Sequence, residues 1–420
     1  MAGDPTGKKD REEPRGDVLF RHYYRPALNA LMDDYNRRLA ELESHRDQPV
    51  AWITTLVPIE ILNAAGIFPF YPENYSALCA ARGVSKELIR IAVSSGLSRD
   101  LCGYATCNVG SVLSDQGAFG KGGIPRPDLL ITTRLACNLH VTWWTYLSRF
   151  FKVPLFILDA PYRSGGQYKD FDIQYFISQI KRLIRFIEEK TGRQIKRDKL
   201  SEIMALSDQA SLFWSEISLS RRAVPSPLGS KDVFSLMFPM VTLAGRPEAV
   251  TFYRDVSKEV KRRVALGKGE AKKENYRLIW DKFPPWHDMK LWNYFDEVGA
   301  VFVFDFYADA FSGRLKNSDP YMALVDKYLN NPTTQRGIED LKKNVERIAK
   351  EFALDGAVFM SNRACRYFSL GQLDLSSYIR DELKLPVLIF EGDHMDPNQY
   401  SRENILEHIG TFLGLLSDRR

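Results

Sequence analysis

Five cysteines, Cys79, Cys102, Cys107, Cys137 and Cys365, are the residues of this chain whose chemistry is least ordinary. Cys102 and Cys107 share the segment Leu101-Cys-Gly-Tyr-Ala-Thr-Cys-Asn-Val-Gly110, whose two glycines suggest a turn feeding a helix. Cys137 and Cys365 each follow an apolar run of strand length, the position where ligands bind in open α/β sheets. Structural zinc normally needs two closely spaced ligand pairs, and this chain has one, Cys102-x₄-Cys107. Iron–sulfur clusters accept thiolates from distant loops, because the fold rather than local spacing positions them. The plain alternative is that these cysteines are small buried hydrophobes. An odd number of thiols spread over a long chain argues against a disulfide framework.

The elements that would carry these thiols can be read from apolar periodicity. Asp128–Thr133 and Pro154–Asp159 read as strands flanking a helix at Leu139–Phe151, a βαβ unit. Continuous apolar strands of this kind belong to parallel sheets covered on both faces. Val18–Leu42 reads as helical, and Trp52–Gly66 carries a helix-like pattern stopped by glycine. Asp172–Lys190 is an amphipathic helix ended by Gly192. Ile195–Arg222 and Lys231–Val264 continue in helical style, broken by prolines. From Asn275 the α/β pattern returns, with strands at Ala300–Phe304, Gly356–Met360 and Pro386–Glu391 and helices at Thr334–Phe352, Gln372–Leu383 and Ser401–Leu416.

The expected fold is therefore α/β, with two Rossmann-like or flavodoxin-like parallel-sheet domains and helical N-terminal and middle segments. The expected division is a tail at 1–17, a first α/β domain with N-terminal helices at 18–165, a helical insertion or linker at 166–274, and a second α/β domain at 275–420. A weak repeat links the two α/β parts. Each has a strand, a cysteine loop, a helix, and then Lys152-Val-Pro154 or Lys384-Leu-Pro386 leading into another strand. Duplication explains it, and so does the general likeness of βαβ units.

The 420 residues carry 58 Lys and Arg against 53 Asp and Glu, a net charge of +5, and 45% are hydrophobic. Such a balance is too weak for a nucleic-acid footprint. No apolar run approaches the ~18 residues of a membrane span. Met1–Arg15 has no apolar core, so it reads as a flexible tail of a cytoplasmic protein rather than a targeting segment.

Four stretches in order resemble one known family. They are Val57–Tyr75 (VPIEILNAAGIFPFYPENY), Leu101–Gly110 (LCGYATCNVG), Pro127–Asn138 with Val153–Tyr162, and Ser361–Asp374 (SNRACRYFSLGQLD) with Leu385–Ile405. Together they resemble the benzoyl-CoA reductase and 2-hydroxyacyl-CoA dehydratase family over most of the chain, least across the helical middle. The resemblance implies a [4Fe–4S] cluster on Cys102, Cys137 and Cys365, with one iron left for a non-protein ligand. Cys107 is a bystander or an extra ligand, and Cys79 matches no ligand position and is expected in the core.

A cluster with an open iron combines Lewis acidity with one-electron transfer, which suits ketyl or ring radical-anion chemistry on a CoA thioester. The resemblance also implies a paralogous iron–sulfur partner subunit and a separate ATP-hydrolysing iron–sulfur activator. Consistently, this chain has no G-x₄-G-K-[ST] phosphate loop. Glu60 matches a glutamate that such dehydratases place near substrate; otherwise it is a first-turn carboxylate facing a helix N-terminus. His140 is a candidate donor to a cluster sulfur or to substrate; otherwise it is a surface or capping residue. Glu391–Asp396 (EGDHMD) looks at first like a metal-ligand cluster, but with Pro397 and the Ser401 helix following it reads as a loop at the strand end that caps that helix. Trp143-Trp144 and Pro284-Pro285-Trp286 read as packing, with acyl-pocket lining the lesser reading. The segments around Cys365 and Trp286 favour a benzoyl-CoA reductase subunit forming a cyclic dienoyl-CoA. The alternatives are a 2-hydroxyacyl-CoA dehydratase subunit and a non-catalytic electron-relay paralogue.

Overall fold

The computed structural model describes residues 16–419 apart from 123, 164, 332, 333, 335 and 336. The expected tail therefore lies outside the described residues up to position 15, and a helix already runs over Gly16–Ser44. Among the described residues, ten strands follow in chain order. They are β1 (Val50–Ile53), β2 (Phe68–Phe70), β3 (Gln116–Gly117), β4 (Gly120–Lys121), β5 (Leu129–Thr133), β6 (Leu155–Leu158), β7 (Tyr276–Asp281), β8 (Ala300–Asp305), β9 (Gly356–Asn362) and β10 (Val387–Gly392).

Two four-stranded sheets form the frame, ordered β2-β1-β5-β6 and β10-β9-β7-β8, and β3-β4 is a small antiparallel ladder. Every pairing in the two large sheets is parallel. The α/β expectation holds. The order is the same in both: the first strand is interior, the second lies at one edge, and the third and fourth continue on the other side. Cys137 follows the third strand of the first sheet and Cys365 the third strand of the second. Lys152 and Lys384, which precede the fourth strands, both adopt left-handed backbone, at φ 55° and 56°. The weak sequence repeat is thus a repeat of topology.

Several elements differ from the sequence reading. The helical stripe assigned to Trp52–Gly66 begins as strand β1 and becomes a helix only over Ile59–Ala64. β2 contains Pro69, which lacks an N–H, and it sits at the sheet edge where a missing donor costs nothing. β7 is hidden by Arg277, a charged residue in a strand; its guanidinium is held by the carbonyls of Arg221, Ala223 and Phe352. Between the two sheets in chain order come the helices Asp170–Thr191, Arg197–Ser220 and Pro247–Ala265 with shorter pieces.

One apolar core joins residues from both large sheets, such as Trp52 and Leu130 with Trp280 and Phe390. Gly103 and Gly110 are not turn residues but lie in the helix Gly103–Ser114 at close approaches. A Cβ on Gly110 would stand 1.8 Å from the Leu88 carbonyl oxygen, and one on Gly103 would stand 2.4 Å from the Met395 Cβ. Only glycine lets this helix press against both neighbours.

Candidate active site

Cys102, Cys137 and Cys365 all occupy the same local position, the residue that caps a helix N-terminus. None of the three side chains makes a capping hydrogen bond, but backbone amides lie near the sulfurs and favour the thiolate: that of Tyr104 at Cys102, those of Leu139 and His140 at Cys137, and that of Phe368 at Cys365. Each thiol is nonetheless pushed upward by burial, Cys365 to about 12, and the three are close enough to perturb one another. Cys102 feels Cys365, Asp393 and Cys137, and Cys365 feels Cys137 and Asp393. Lys282, at the end of β7, is a cation near Cys365. Among the described residues, no three His, Cys, Asp or Glu side chains converge tightly enough to hold a single metal ion.

The other two cysteines lie elsewhere. Cys79 and Cys107 are both fully buried, and the Cys107 thiol is held against Cys79 and Ser76 within the core. All five cysteines are free thiols.

Beside the three thiols is a cavity of about 340 Å³. Its wall includes Phe234, Met237 and Trp286 on the apolar side and Glu73, Tyr104 and Tyr307 on the polar side. Tyr104 stands two residues from Cys102, and Tyr307 feels the Cys102 and Cys365 thiols. The cavity and the thiols thus share a boundary. Along it runs a directed chain of hydrogen bonds. The Trp286 indole can only donate, and its Nε1 gives to the Tyr104 oxygen at 2.6 Å. Tyr104 is hydrogen-bonded in turn to Tyr307. Tyr104 still has its own O–H to donate, and the Tyr307 oxygen is beside it to accept, which leaves the Tyr307 O–H to point elsewhere.

Glu73 and His140 occupy the same seam. The carboxylate receives His140 Nε2 at 3.1 Å on one oxygen and the Thr55 amide and hydroxyl, at 2.7 and 2.9 Å, on the other. Burial acts to raise the Glu73 pKa, but the His140 and Thr55 contacts outweigh it and hold it below the usual carboxylate range. A carboxylate accepts, so His140 carries its proton on Nε2, and buried Nδ1 is left without a partner among the described residues. His140 is thus neither a surface residue nor a cap.

Glu60 lies in the first turn of its helix, fully buried. Its oxygens take Lys327 Nζ at 2.7 Å, the Ser207 hydroxyl at 2.6 Å and the Tyr328 hydroxyl at 2.6 Å. Burial would raise its pKa, but Lys327 and these hydrogen bonds bring it below the usual value. Lys327 and Tyr328 come from one π-helical turn, Val325–Leu329. The structure thus pairs His140 with the cavity-lining Glu73, close to Cys137, and puts Glu60 in a separate ion network.

Sequence reasoning passes over Glu73, although it lies in the VPIEILNAAGIFPFYPENY stretch and repeats the Pro–Glu theme of Pro58-Ile-Glu60. It also passes over the reach of His394, whose ring approaches Cys102; within EGDHMD, Glu391 and Gly392 end β10, and the loop is Asp393–Asp396, whose Asp396 caps the short 3-10 turn Pro397–Gln399 rather than the helix Arg402–Ser417. Trp143 and Trp144 are core residues, whereas Trp286 lines the cavity.

Comparison with known proteins now decides the family. Residues 54–416 match the model of the 2-hydroxyglutaryl-CoA dehydratase D-component family. The chain belongs to that family. It is 28% identical over 358 residues to the (R)-phenyllactyl-CoA dehydratase alpha subunit of Clostridium sporogenes, covering 85% of this chain and 86% of the relative. It is likewise 28% identical over 381 residues to the (R)-2-hydroxyisocaproyl-CoA dehydratase alpha subunit of Clostridioides difficile, covering 89% and 91%. To a benzoyl-CoA reductase subunit of Thauera aromatica it is 27% identical over 399 residues, covering 88% and 89%. This dehydratase D-component homologue is therefore an enzyme subunit of the dehydratase and reductase family. No helix among its described residues is long and apolar enough to cross a membrane.

Proposed function

We propose that this family member is a subunit that binds a [4Fe–4S] cluster through Cys102, Cys137 and Cys365 and processes a CoA thioester whose acyl group enters the adjacent cavity. The observation that carries this reading is the gathering of three N-cap thiols behind Tyr104, Tyr307 and Glu73, which line one cavity. The residues fit the group. Buried thiols do not ionise unaided, yet helix N-termini aim amides at each sulfur, an arrangement that favours thiolate once cationic iron is present. A single tetrahedral ion needs every sulfur about 2.3 Å from one point, which these side chains do not provide. A four-iron cluster takes each thiolate on a different iron, so wider spacing suits it.

When bound, such a cluster supplies single electrons and a Lewis-acid contact. The rest is the work of the chain. Phe234, Met237 and Trp286 give an apolar acyl group a dry wall. The Trp286–Tyr104–Tyr307 chain orients the Tyr307 hydroxyl as a donor toward a substrate oxygen. His140, fixed by Glu73 with its proton on Nε2, offers Nδ1 to accept a proton at the seam. A paralogous subunit and an ATP-hydrolysing activator would complete the enzyme, in keeping with relatives that are themselves named as subunits.

Dehydration of an aryl or branched 2-hydroxyacyl-CoA is the first reading, supported by the names of the dehydratase relatives and by the apolar cavity. Reduction of benzoyl-CoA to a cyclic dienoyl-CoA is the second, favoured by the aromatic lining from Tyr104, Trp286 and Tyr307 and by the reductase relative. The two differ in electron accounting: dehydration returns its electron, whereas ring reduction consumes electrons stoichiometrically. The test is to supply the assembled, activated enzyme with each thioester under ATP and a titrated reductant. Enoyl-CoA formation without net reductant consumption supports the first reading. Turnover of benzoyl-CoA alone, with stoichiometric consumption, replaces it with the second.

A further inference from the structure

His394 is completely buried, stacked on Phe283 at 4.7 Å between ring centroids and met edge-on by Tyr104 at 4.4 Å. Its Nε2 is 3.9 Å from the Cys102 sulfur, within reach of a long N–H···S hydrogen bond. Which ring nitrogen carries the proton follows from Asn362. The Asn362 carbonyl oxygen accepts the backbone amides of Ala364 and Cys365, at 3.0 and 3.1 Å, so the side-chain orientation is fixed. Its Nδ2 then faces His394 Nδ1. An amide nitrogen can only donate, so Nδ1 is the acceptor and the proton sits on Nε2, aimed at Cys102. Asn362 thereby ties the Cys365 loop to the ring that touches Cys102. The close approach permitted by Gly103, against Met395, brings the loop near enough for this contact.

We propose that neutral His394 donates its Nε2–H to the Cys102 sulfur and thereby raises the reduction potential of the cluster held there. This rests on the cluster reading above. A donor to a cluster thiolate stabilises the reduced, more negative state more than the oxidised one. His394 does not itself line the cavity, so it acts as a positioning residue through Cys102.

Two measurements test it. In the anaerobically purified protein, the midpoint potential of His394→Phe should shift to more negative values than wild type with iron content retained. His394→Gln keeps an N–H and should restore part of the shift. An unchanged midpoint in the Phe variant at full iron content would overturn the proposal. The second measurement needs no iron: nitrogen-15 histidine spectra of the unloaded protein, with His394 assigned by its disappearance in His394→Gln. The Nε2–H tautomer in wild type, weakened in Asn362→Leu, is the expected result, and an Nδ1–H tautomer overturns the proposal. Iron-free wild-type protein would defeat the cluster reading alone, because the tautomer is still read.

Discussion

Glu73 and His140 stand 67 residues apart in the chain, and their side chains meet at 3.1 Å on the wall between thiols and cavity. Each arrives from the helix that follows a strand of the first sheet: Glu73 from Pro72–Ala81 after β2, His140 from Asn138–Phe151 after β5. The carboxylate fixes the imidazole tautomer, which leaves a buried Nδ1 without a hydrogen-bond partner among the described residues.

Replacing His140 with Gln should lower kcat of the assembled enzyme about 10²- to 10³-fold, the usual worth of a positioned acid or base. Its thermal melting should change little. Steady-state rates check this.

The Glu73 carboxyl lies lower in the folded protein than its ordinary 4.5. A depressed folded value means the unfolded chain binds the proton first, so the pair contributes its full stability above the unfolded value. That contribution is lost as pH falls through the folded value. Glu60, also depressed, acts in the same direction. Urea unfolding should therefore show stability falling below about pH 5, and Glu73→Gln should flatten the decline.

Glu60→Gln tests whether that carboxylate is structural. It leaves Lys327 buried without its counter-charge, and breaking such a pair costs about 3–5 kcal/mol. The midpoint of urea unfolding should drop accordingly, and Glu60→Gln with Lys327→Met should recover most of the loss. A variant of unchanged stability with collapsed kcat would instead put Glu60 in the reaction.

Serine at Cys102, Cys137 or Cys365 should abolish bound iron and acid-labile sulfide. Serine at Cys79 or Cys107 should leave both near wild-type amounts, because those thiols pack against each other in the core. Metal and sulfide analysis of the five anaerobic variants reads this directly.

Tyr307→Phe removes the terminal donor of the Trp286–Tyr104–Tyr307 chain while keeping the ring. Expected is a fall in kcat of about tenfold, near the 1.5 kcal/mol of a typical hydrogen bond, with a small loss of thermal stability because the buried Tyr104 O–H loses its acceptor. Tyr104→Phe should cost stability as well, since it strands the Trp286 indole.

Much of the frame is legible in the sequence. LLITT, LFIL and VLIFEG are continuous apolar runs because both faces of a parallel sheet are covered, and that pattern survives without tertiary knowledge. β1 escapes notice because its apolar residues merge with the stripe of the helix that follows, and β7 because Arg277 breaks the run while finding carbonyls only in the folded chain. The thiols can be found by type. Glu73, His394 and Tyr307 cannot, since nothing local distinguishes them and only folding delivers them to one boundary.

The matching strand orders of the two sheets carry one more consequence, in terms of symmetry. Each half contributes a thiol after its third strand, and the first half adds Cys102 between its second and third strands. The second half has no cysteine in the corresponding stretch, between β8 and β9. The proposed cluster would be held by two thiolates from one half and one from the other, which would leave one iron without a cysteine ligand from this set. The unmatched thiol is the departure from exact repetition, so the asymmetry between the halves, rather than any single added residue, is what would leave iron open to a substrate.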